Sequence, residues 1–263
     1  MNTNKTTANT SSAGRQRALN APNKLPTLCA VSALAQLKAC SDPVLATKAL
    51  RFFKTAAGQY GAGDVFLGIR VPHLRQLAAQ FVGMSLAENQ RLLRSRFHEA
   101  RLLALIILVK TFAAARANPK TQRDIYRHYL ANTRWINNWD LVDASAYQIV
   151  GVWLQTRSRA PLYRLVRSRN MWERRIAIIA TRQLIRAGDL DDTMALAQIL
   201  LADDEDLIHK AVGWMLREVA KRDRERVTNF LITHYAMLAR TTLRYAIEHY
   251  PPAQRKRLLA GRA

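Results

Sequence analysis

The sequence predicts an all-α fold, a solenoid of antiparallel helix pairs with a basic concave face. Three observations support this prediction. From Val31 onward, apolar residues recur three and four positions apart in almost every segment, which is the period of amphipathic helices. A basic residue followed by an apolar run returns at regular intervals along the chain. Lysine and arginine together number 41, against 19 aspartates and glutamates.

Individual helices are bounded by clusters of Asn, Pro, Gly and Asp, which are residues that begin or end helices. Shorter and longer helices alternate, as expected of helix pairs, and no segment has the alternating pattern of a strand. The clearest predicted helices are 85–96, 99–115, 122–130, 139–155, 161–167, 172–187, 191–201, 207–221 and 224–235.

The repeat becomes visible when the longer helices are aligned. Arg101, Arg175, Lys210 and Arg244 each precede an apolar run. With a further start near residue 140, successive starts differ by roughly 34 to 39 residues, close to the length of about 40 of HEAT or armadillo units. In such a solenoid the second helix of each pair lines the concave side. We therefore expect matched basic residues to form one strip there.

Two regions are predicted. Residues 1–26 are rich in Thr, Asn, Ser and Ala and contain no acidic residue, which is typical of a disordered basic tail. Residues 27–263 are predicted to form a single HEAT-like-repeat domain. The tail either adds nonspecific DNA affinity or is an extension without a role, and its composition does not decide between them.

The net charge of +22, with an isoelectric point near 11.0, predicts a polyanionic partner. Nucleic acid is the first candidate, because neutralised phosphates release counterions and so reward many separated cations. An anionic membrane surface is the second. No run approaches the roughly 18 apolar residues of a spanning helix and the N-terminus is polar, so we expect a cytoplasmic protein with no membrane segment.

The residues that commonly bind metals are few and scattered. Cys29 and Cys40 are the only cysteines, their separation does not match a zinc motif, and we expect both to be buried thiols. The six histidines form no metal-binding motif. The sequence thus predicts no metal and no cofactor.

A glycine-rich segment at 58–72 interrupts the helical pattern, with Gly58, Gly61, Gly63 and Gly68. We predict a loop. It lacks the GK[ST] ending and the preceding strand of a phosphate-cradling loop. The segment is therefore expected to link the first helices and either touch substrate or pack one end.

Candidate functional residues share helix faces. Trp139 and Asp143 are four positions apart, which places them one above the other on a helix. Neighbouring helices of the concave side would contribute Arg175, Lys210, Trp214, Arg217 and Lys221.

Two indoles, one carboxylate and several cations suit hydrolysis of the N-glycosidic bond of a purine alkylated at N3 or N7. Such a base is cationic and leaves without a general acid, while the deoxyribose acquires oxocarbenium character that a carboxylate can stabilise. Indole faces attract cations, and an arginine can hold a phosphate by two hydrogen bonds. Taken one by one, however, these residues also fit a buried Trp, a capping Asp and ordinary surface charges. Spacing alone supports a DNA-binding helical repeat without a claim of catalysis.

Four motifs resemble the DNA alkylation repair enzymes of the AlkD type, which are HEAT-like-repeat DNA glycosylases. The resemblance covers about residues 50 to 221. It rests on Phe66-Leu-Gly-Ile-Arg-Val-Pro72, Trp139-Asp-Leu-Val-Asp143, Trp172-Glu-Arg-Arg-Ile-Ala177 and Lys210-Ala-Val-Gly-Trp-Met-Leu-Arg-Glu-Val-Ala-Lys221.

The resemblance implies a role for each matching residue. Asp143 would be the catalytic carboxylate, Trp139 and Trp214 the aromatic partners, and Arg175 the ligand of the lesion phosphate. It further implies excision of positively charged alkylpurines from duplex DNA through contacts to sugar and phosphates, without a deep base pocket. The predicted DNA-binding residues are Lys210, Arg217, Lys221, Arg244 and Arg70.

Two departures and two rival functions stay open. The glycine-rich stretch at 58–63 resembles a related subgroup more than the best-characterised type, and the tail lies outside the family core. A noncatalytic binder of bent or branched DNA would bind without releasing base. A protein-binding scaffold would prefer an acidic partner and have no special need for Asp143. We expect a monomer, because a solenoid that wraps one duplex needs no second copy.

Overall fold

The computed structural model describes residues 28–262. The predicted tail, residues 1–26, lies outside the described residues, and the division of the chain into tail and single domain stays a prediction. Within 28–262 all regular elements are helical, and the one strand-type contact is an isolated bridge between Val65 and Phe97. The predicted all-α fold is confirmed.

The described residues form fifteen α-helices, with a π-helical turn at Tyr147–Gly151 and short 3-10 turns at Thr133–Trp135, Leu200–Ala202 and Tyr235–Met237. The helices are α1 Ala30–Ala39, α2 Pro43–Phe52, α3 Val71–Ala79, α4 Leu86–Leu93, α5 His98–Ala114, α6 Pro119–Ala131, α7 Trp139–Asp143, α8 Val152–Leu154, α9 Ala160–Leu165, α10 Met171–Arg186, α11 Asp191–Ile199, α12 Asp206–Ala220, α13 Arg224–Thr233, α14 Arg240–Ala246 and α15 Pro252–Leu259.

Side-chain caps explain where several helices begin. Ser85 accepts a hydrogen bond from the backbone of α4, Asn118 from α6, and Asn170 from α10. Each cap satisfies a backbone N–H that has no partner inside its helix. The boundaries predicted from such residues are accordingly close to the observed ones.

The helices form two layers. In the inner layer α3 packs on α5, α5 on α7, α7 on α10, α10 on α12, and α12 on α14. The outer helices α4, α6, α9, α11 and α13 each pack on an inner neighbour. This is the helical-repeat solenoid that the sequence predicts, and apolar residues of both layers form its core.

The helix predicted at 139–155 is interrupted, so the prediction of one continuous helix is wrong. α7 ends at Asp143, and the chain continues through the π-helical turn into α8. Ser145 explains the break, because its hydroxyl donates to the carbonyl of Leu141 at 2.6 Å and contacts the hydroxyl of Tyr129 at 3.0 Å. Such local bonds compete with regular helix.

A buried ionic cluster joins the glycine-rich segment to α5 and α7. Asp64 pairs with Arg101 at 2.5 Å, and His98 contacts Asp64 at 3.2 Å and Asp140 at 2.8 Å. Asn138, which precedes α7, donates to Asp64 at 3.1 Å. The start of α7, and with it Trp139, is therefore held by buried charges.

Arg101 does not belong to a basic strip. Its side chain is 6% exposed and its guanidinium also donates to the carbonyls of Ser95 and Arg96. The expectation that all four repeat cations line the concave side is wrong at this position, because the glycine-rich segment covers this part of α5.

The glycine-rich segment is a loop, as predicted, and it packs one end of the solenoid. The Glu99 carboxylate accepts backbone hydrogen bonds from Leu67 at 2.9 Å and Gly68 at 2.7 Å. Gly68 has a φ of +80°, and a Cβ there would lie 2.1 Å from the carbonyl oxygen of Asp42. Only glycine fits this close approach.

The two cysteines are not buried. Cys29 is half-buried and Cys40 is exposed, so the expectation of buried thiols is wrong. They flank α1 at its two ends.

We predict that the ionic cluster makes stability fall at alkaline pH. Burial opposes protonation of His98, but the carboxylates of Asp140 and Asp64 outweigh both burial and Arg101, and raise the pKa of the imidazole to about 9. The contribution is complete below pH 6.5 and is lost as pH rises through about 9. Urea unfolding should show a loss of about 3 kcal/mol across this window. His98→Gln should lack this pH dependence, and an equal dependence in the variant would contradict the assignment.

Gly213 tests the packing of α12 on α14. A Cβ at this position would lie 2.5 Å from Cβ of Tyr245 and 2.6 Å from the carbonyl oxygen of Thr242. Gly213→Ala should therefore separate the two helices and lower the free energy of unfolding by about 2 kcal/mol, as overpacking does. Urea unfolding measures this change, and wild-type stability would show that the helices are not in such close contact.

Candidate active site

The inner layer contains a cleft of about 440 Å³ with aromatic and charged walls. We call it the aromatic cleft. Helices α7, α10, α12 and α14 contribute to it, together with the end of α2 and the following loop. Its lining residues are Phe52, Lys54, Tyr60, Trp139, Asp143, Arg175, Leu207, Lys210, Trp214, Arg217 and Tyr245.

Six of the nine site residues predicted from the sequence line this one cleft. They are Trp139, Asp143, Arg175, Lys210, Trp214 and Arg217. They come from three different helices, and the solenoid brings them together although they span 79 positions of the chain.

The other three predicted DNA-binding residues lie elsewhere. Lys221 lines a small neighbouring cavity that shares Arg217 with the aromatic cleft. Arg70, in the glycine-rich segment, lines a separate cavity. Arg244 is exposed, and it is the next residue, Tyr245, that lines the aromatic cleft.

Asp143 and Arg175 form a two-point ion pair at the cleft wall. Nε of Arg175 donates to Oδ1 of Asp143 at 3.0 Å, and Nη2 donates to Oδ2 at 2.8 Å. Nη1 donates to the carbonyl oxygen of Leu207 on α12. The pair fixes the orientation of the carboxylate, since both of its oxygens are held by one rigid planar group.

The carboxyl of Asp143 has a perturbed pKa. Burial raises it above the ordinary value of 3.8, and the Arg175 guanidinium opposes part of that rise. The nearby carboxylate of Asp140 raises it further, while Arg182 lowers it. A carboxylate in a cleft whose pKa is shifted by burial and a specific charged partner is typical of a functional site.

Trp139 stands in a column of aromatic rings. Phe53 stacks on it with ring centres 5.5 Å apart, and Phe66 stacks on the other side of Phe53 at 4.9 Å. Phe52 contacts Trp139 edge-on at 5.9 Å. This column restricts the indole to one orientation, with the half-buried ring at the cleft.

Two cations on α12 are paired within the protein. Lys210 contacts Asp206 at 2.7 Å, and Arg217 contacts Glu248. Hydrogen bonding to Asp206 raises the pKa of Lys210 above its ordinary value, so its ammonium stays charged at neutral pH.

The cleft also contains residues that the sequence did not indicate. Phe52 is 65% exposed, and Lys54, two positions later, has a left-handed φ of +50°. Tyr60 lies in the glycine-rich loop, and Tyr245 lies one position after the repeat cation Arg244. The only sequence signal of Phe52, Tyr60 and Tyr245 was their aromatic character, and Lys54 gave no signal.

Metal and membrane features are absent from the part of the chain that the structure describes. No group of three or more His, Cys, Asp or Glu side chains between residues 28 and 262 could hold a metal ion. None of the described helices is both long and apolar enough to span a bilayer.

Comparison with known proteins identifies the family. The family model described as DNA alkylation repair enzyme matches residues 33–250. The fold is similar to a solved structure described as a predicted DNA alkylation repair enzyme from Enterococcus faecalis. The TM-score is 0.61 at 19% identity, over 81% of this chain and 97% of that chain. None of the curated proteins matches the sequence significantly. Because the family model covers most of its length, the chain belongs to the DNA alkylation repair enzyme family.

Proposed function

We propose that this protein is an AlkD-type DNA glycosylase that releases positively charged N3- or N7-alkylated purines from duplex DNA. One observation carries the proposal. The Asp143 carboxylate, oriented by Arg175, lies in the same cleft as the two indoles of Trp139 and Trp214.

The proposed reaction is hydrolysis of the N-glycosidic bond. The bond between C1′ of the deoxyribose and the alkylated base breaks, and the base leaves with the electron pair and becomes neutral. The sugar acquires positive charge, which the Asp143 carboxylate stabilises. Water then adds to C1′, and its proton passes to Asp143 or to solvent. Because the leaving base is already cationic, the reaction requires neither a general acid nor a cofactor.

The indoles suit both the cationic base and the charged sugar. An aromatic face attracts a cation by roughly 0.5 to 2 kcal/mol, and more strongly where water is excluded. Trp139 and Trp214 line one cleft with Asp143, so the cation would meet aromatic faces and a carboxylate together.

Arg175 acts in this proposal first as a positioning residue for Asp143. A guanidinium has five N–H donors. Three of these N–H groups are used, two by the Asp143 carboxylate and one by the carbonyl of Leu207. The other two are left for the predicted contact with the lesion phosphate. We further propose that Lys210, Arg217, Lys221, Arg244 and Arg70 contact the DNA backbone, and that one monomer acts on one duplex.

The decisive test is release of free base from a duplex carrying a single 7-methylguanine. Asp143→Asn should lower the single-turnover rate by at least about 100-fold, because it removes the charge that stabilises the sugar cation. Asp191→Asn is the matched control, since Asp191 is 84% exposed on α11 and lines neither the cleft nor its neighbours. It should leave the rate unchanged.

The same assay separates the rival function. Tight binding without release by the wild-type protein would overturn the glycosylase proposal and identify a noncatalytic DNA binder. Equal rates for the wild type and Asp143→Asn would remove Asp143 from the reaction.

The proposal also predicts a pH dependence. Only ionised Asp143 stabilises the sugar cation, so the enzyme-dependent rate should fall as pH decreases, with its midpoint above 3.8 because burial raises this pKa. Single-turnover release corrected for enzyme-free depurination measures the midpoint. Arg175→Gln removes the guanidinium that opposes the effect of burial, and should move the midpoint higher. An unchanged midpoint would show that Arg175 does not position a titrating Asp143.

A further inference from the structure

A second cleft lies beside the aromatic cleft, and Asp143 lines both. Its volume is about 570 Å³. Three inner helices each contribute one cation to it, Arg75 from α3, Lys110 from α5 and Arg182 from α10. The π-helical turn contributes Tyr147. We call it the cationic cleft. The sequence motifs do not include any of its three cations.

The two clefts differ in how their cations are compensated. In the aromatic cleft, Arg175, Lys210 and Arg217 each have a carboxylate partner, and only the exposed Lys54 at the rim has none among residues 28–262. In the cationic cleft, none of the three cations pairs with a carboxylate of the described chain. Of the two clefts, the cationic cleft therefore holds more cations without a carboxylate partner.

Arg182 is held in place by aromatic rings and not by an acid. Its guanidinium lies 4.6 Å from the ring centre of Tyr147 and 5.4 Å from that of Trp214. Its Nε is buried and has no hydrogen-bond partner within the described residues. Such contacts orient the group but leave its charge available to an external anion.

We propose that the cationic cleft binds the phosphodiester backbone of the lesion strand, on the side of the lesion nucleotide that faces α3, α5 and α10. This inference rests on the proposed function, because it assigns a path to the strand whose lesion sugar reaches Asp143. Cations from three inner helices match the repeated charges of a nucleic-acid backbone better than one small anion. Asp143 lines both clefts. A DNA strand bound in the cationic cleft would therefore place one of its nucleotides next to the Asp143 carboxylate.

Arg182 also connects the two clefts. It touches Trp214, which lines the aromatic cleft, while its own side chain lines the cationic cleft. Only the Arg182 side chain would therefore separate a phosphate bound there from Trp214 in the aromatic cleft.

The experiment measures binding of undamaged duplex DNA as a function of salt concentration, using fluorescence anisotropy. Arg75→Gln, Lys110→Gln and Arg182→Gln should each reduce the slope of log K against log salt by about one. Arg116→Gln and Arg186→Gln are the matched controls. Both arginines are exposed near the C-terminal ends of α5 and α10, line neither cleft, and carry the same charge. They should leave the slope unchanged.

Arg182→Lys separates a lost charge from a displaced indole. The lysine variant keeps the cation and should restore the wild-type slope, whereas a purely structural role of the guanidinium would not be rescued. Wild-type slopes for all three glutamine variants, or equal reductions in the two controls, would overturn the proposal.

Because the measurement uses undamaged DNA, its result does not depend on base release. Reduced slopes together with absent base release would keep the cationic cleft as a backbone site and reject the glycosylase function. Unchanged slopes together with normal base release would do the reverse.

Discussion

The guanidinium of Arg175 joins three successive inner helices at one point. It extends from α10, binds both oxygens of Asp143 at the end of α7, and donates to the Leu207 carbonyl at the start of α12. Removing Arg175 would leave the half-buried carboxylate of Asp143 without a partner, and removing Asp143 would do the same to the buried guanidinium of Arg175. An unpaired charge is costly in a protein interior. The same contact that fixes the stacking of the repeats therefore also orients the carboxylate on which the proposed chemistry depends.

A second constraint acts on α7 from the other side. His98, Asp64 and Arg101 form a buried ionic cluster that reaches the helix through Asp140 and Asn138. Buried ion pairs contribute little net stability compared with apolar packing, but they permit few alternative arrangements. We infer that their main effect here is positional. α7 has only five residues, and its orientation comes from its neighbours at both ends.

The distribution of charge gives the net value of +22 a more specific meaning. Acidic side chains neutralise most cations of the aromatic cleft, so this cleft offers aromatic faces and one oriented carboxylate. The adjacent cleft holds three cations that have no carboxylate partner between residues 28 and 262. A strongly basic protein can in this way present backbone-binding charge beside a site whose own charges are balanced.

The sequence by itself determined the all-α class and the face shared by Trp139 and Asp143, because these follow from periodicity within single helices. It also determined the repeat, through the regular spacing of basic residues from one helix to the next. It also indicated six residues of the aromatic cleft, partly through resemblance to the DNA alkylation repair family. Only the tertiary structure decided which cations are exposed. Arg101 and Arg244 occupy similar places in the repeat, yet Arg101 is buried by a loop whereas Arg244 is exposed to solvent. The same holds for Tyr60, Tyr245 and Arg182, which reach the clefts through contacts between distant segments. Periodicity describes one helix, whereas burial and pairing depend on what packs against it.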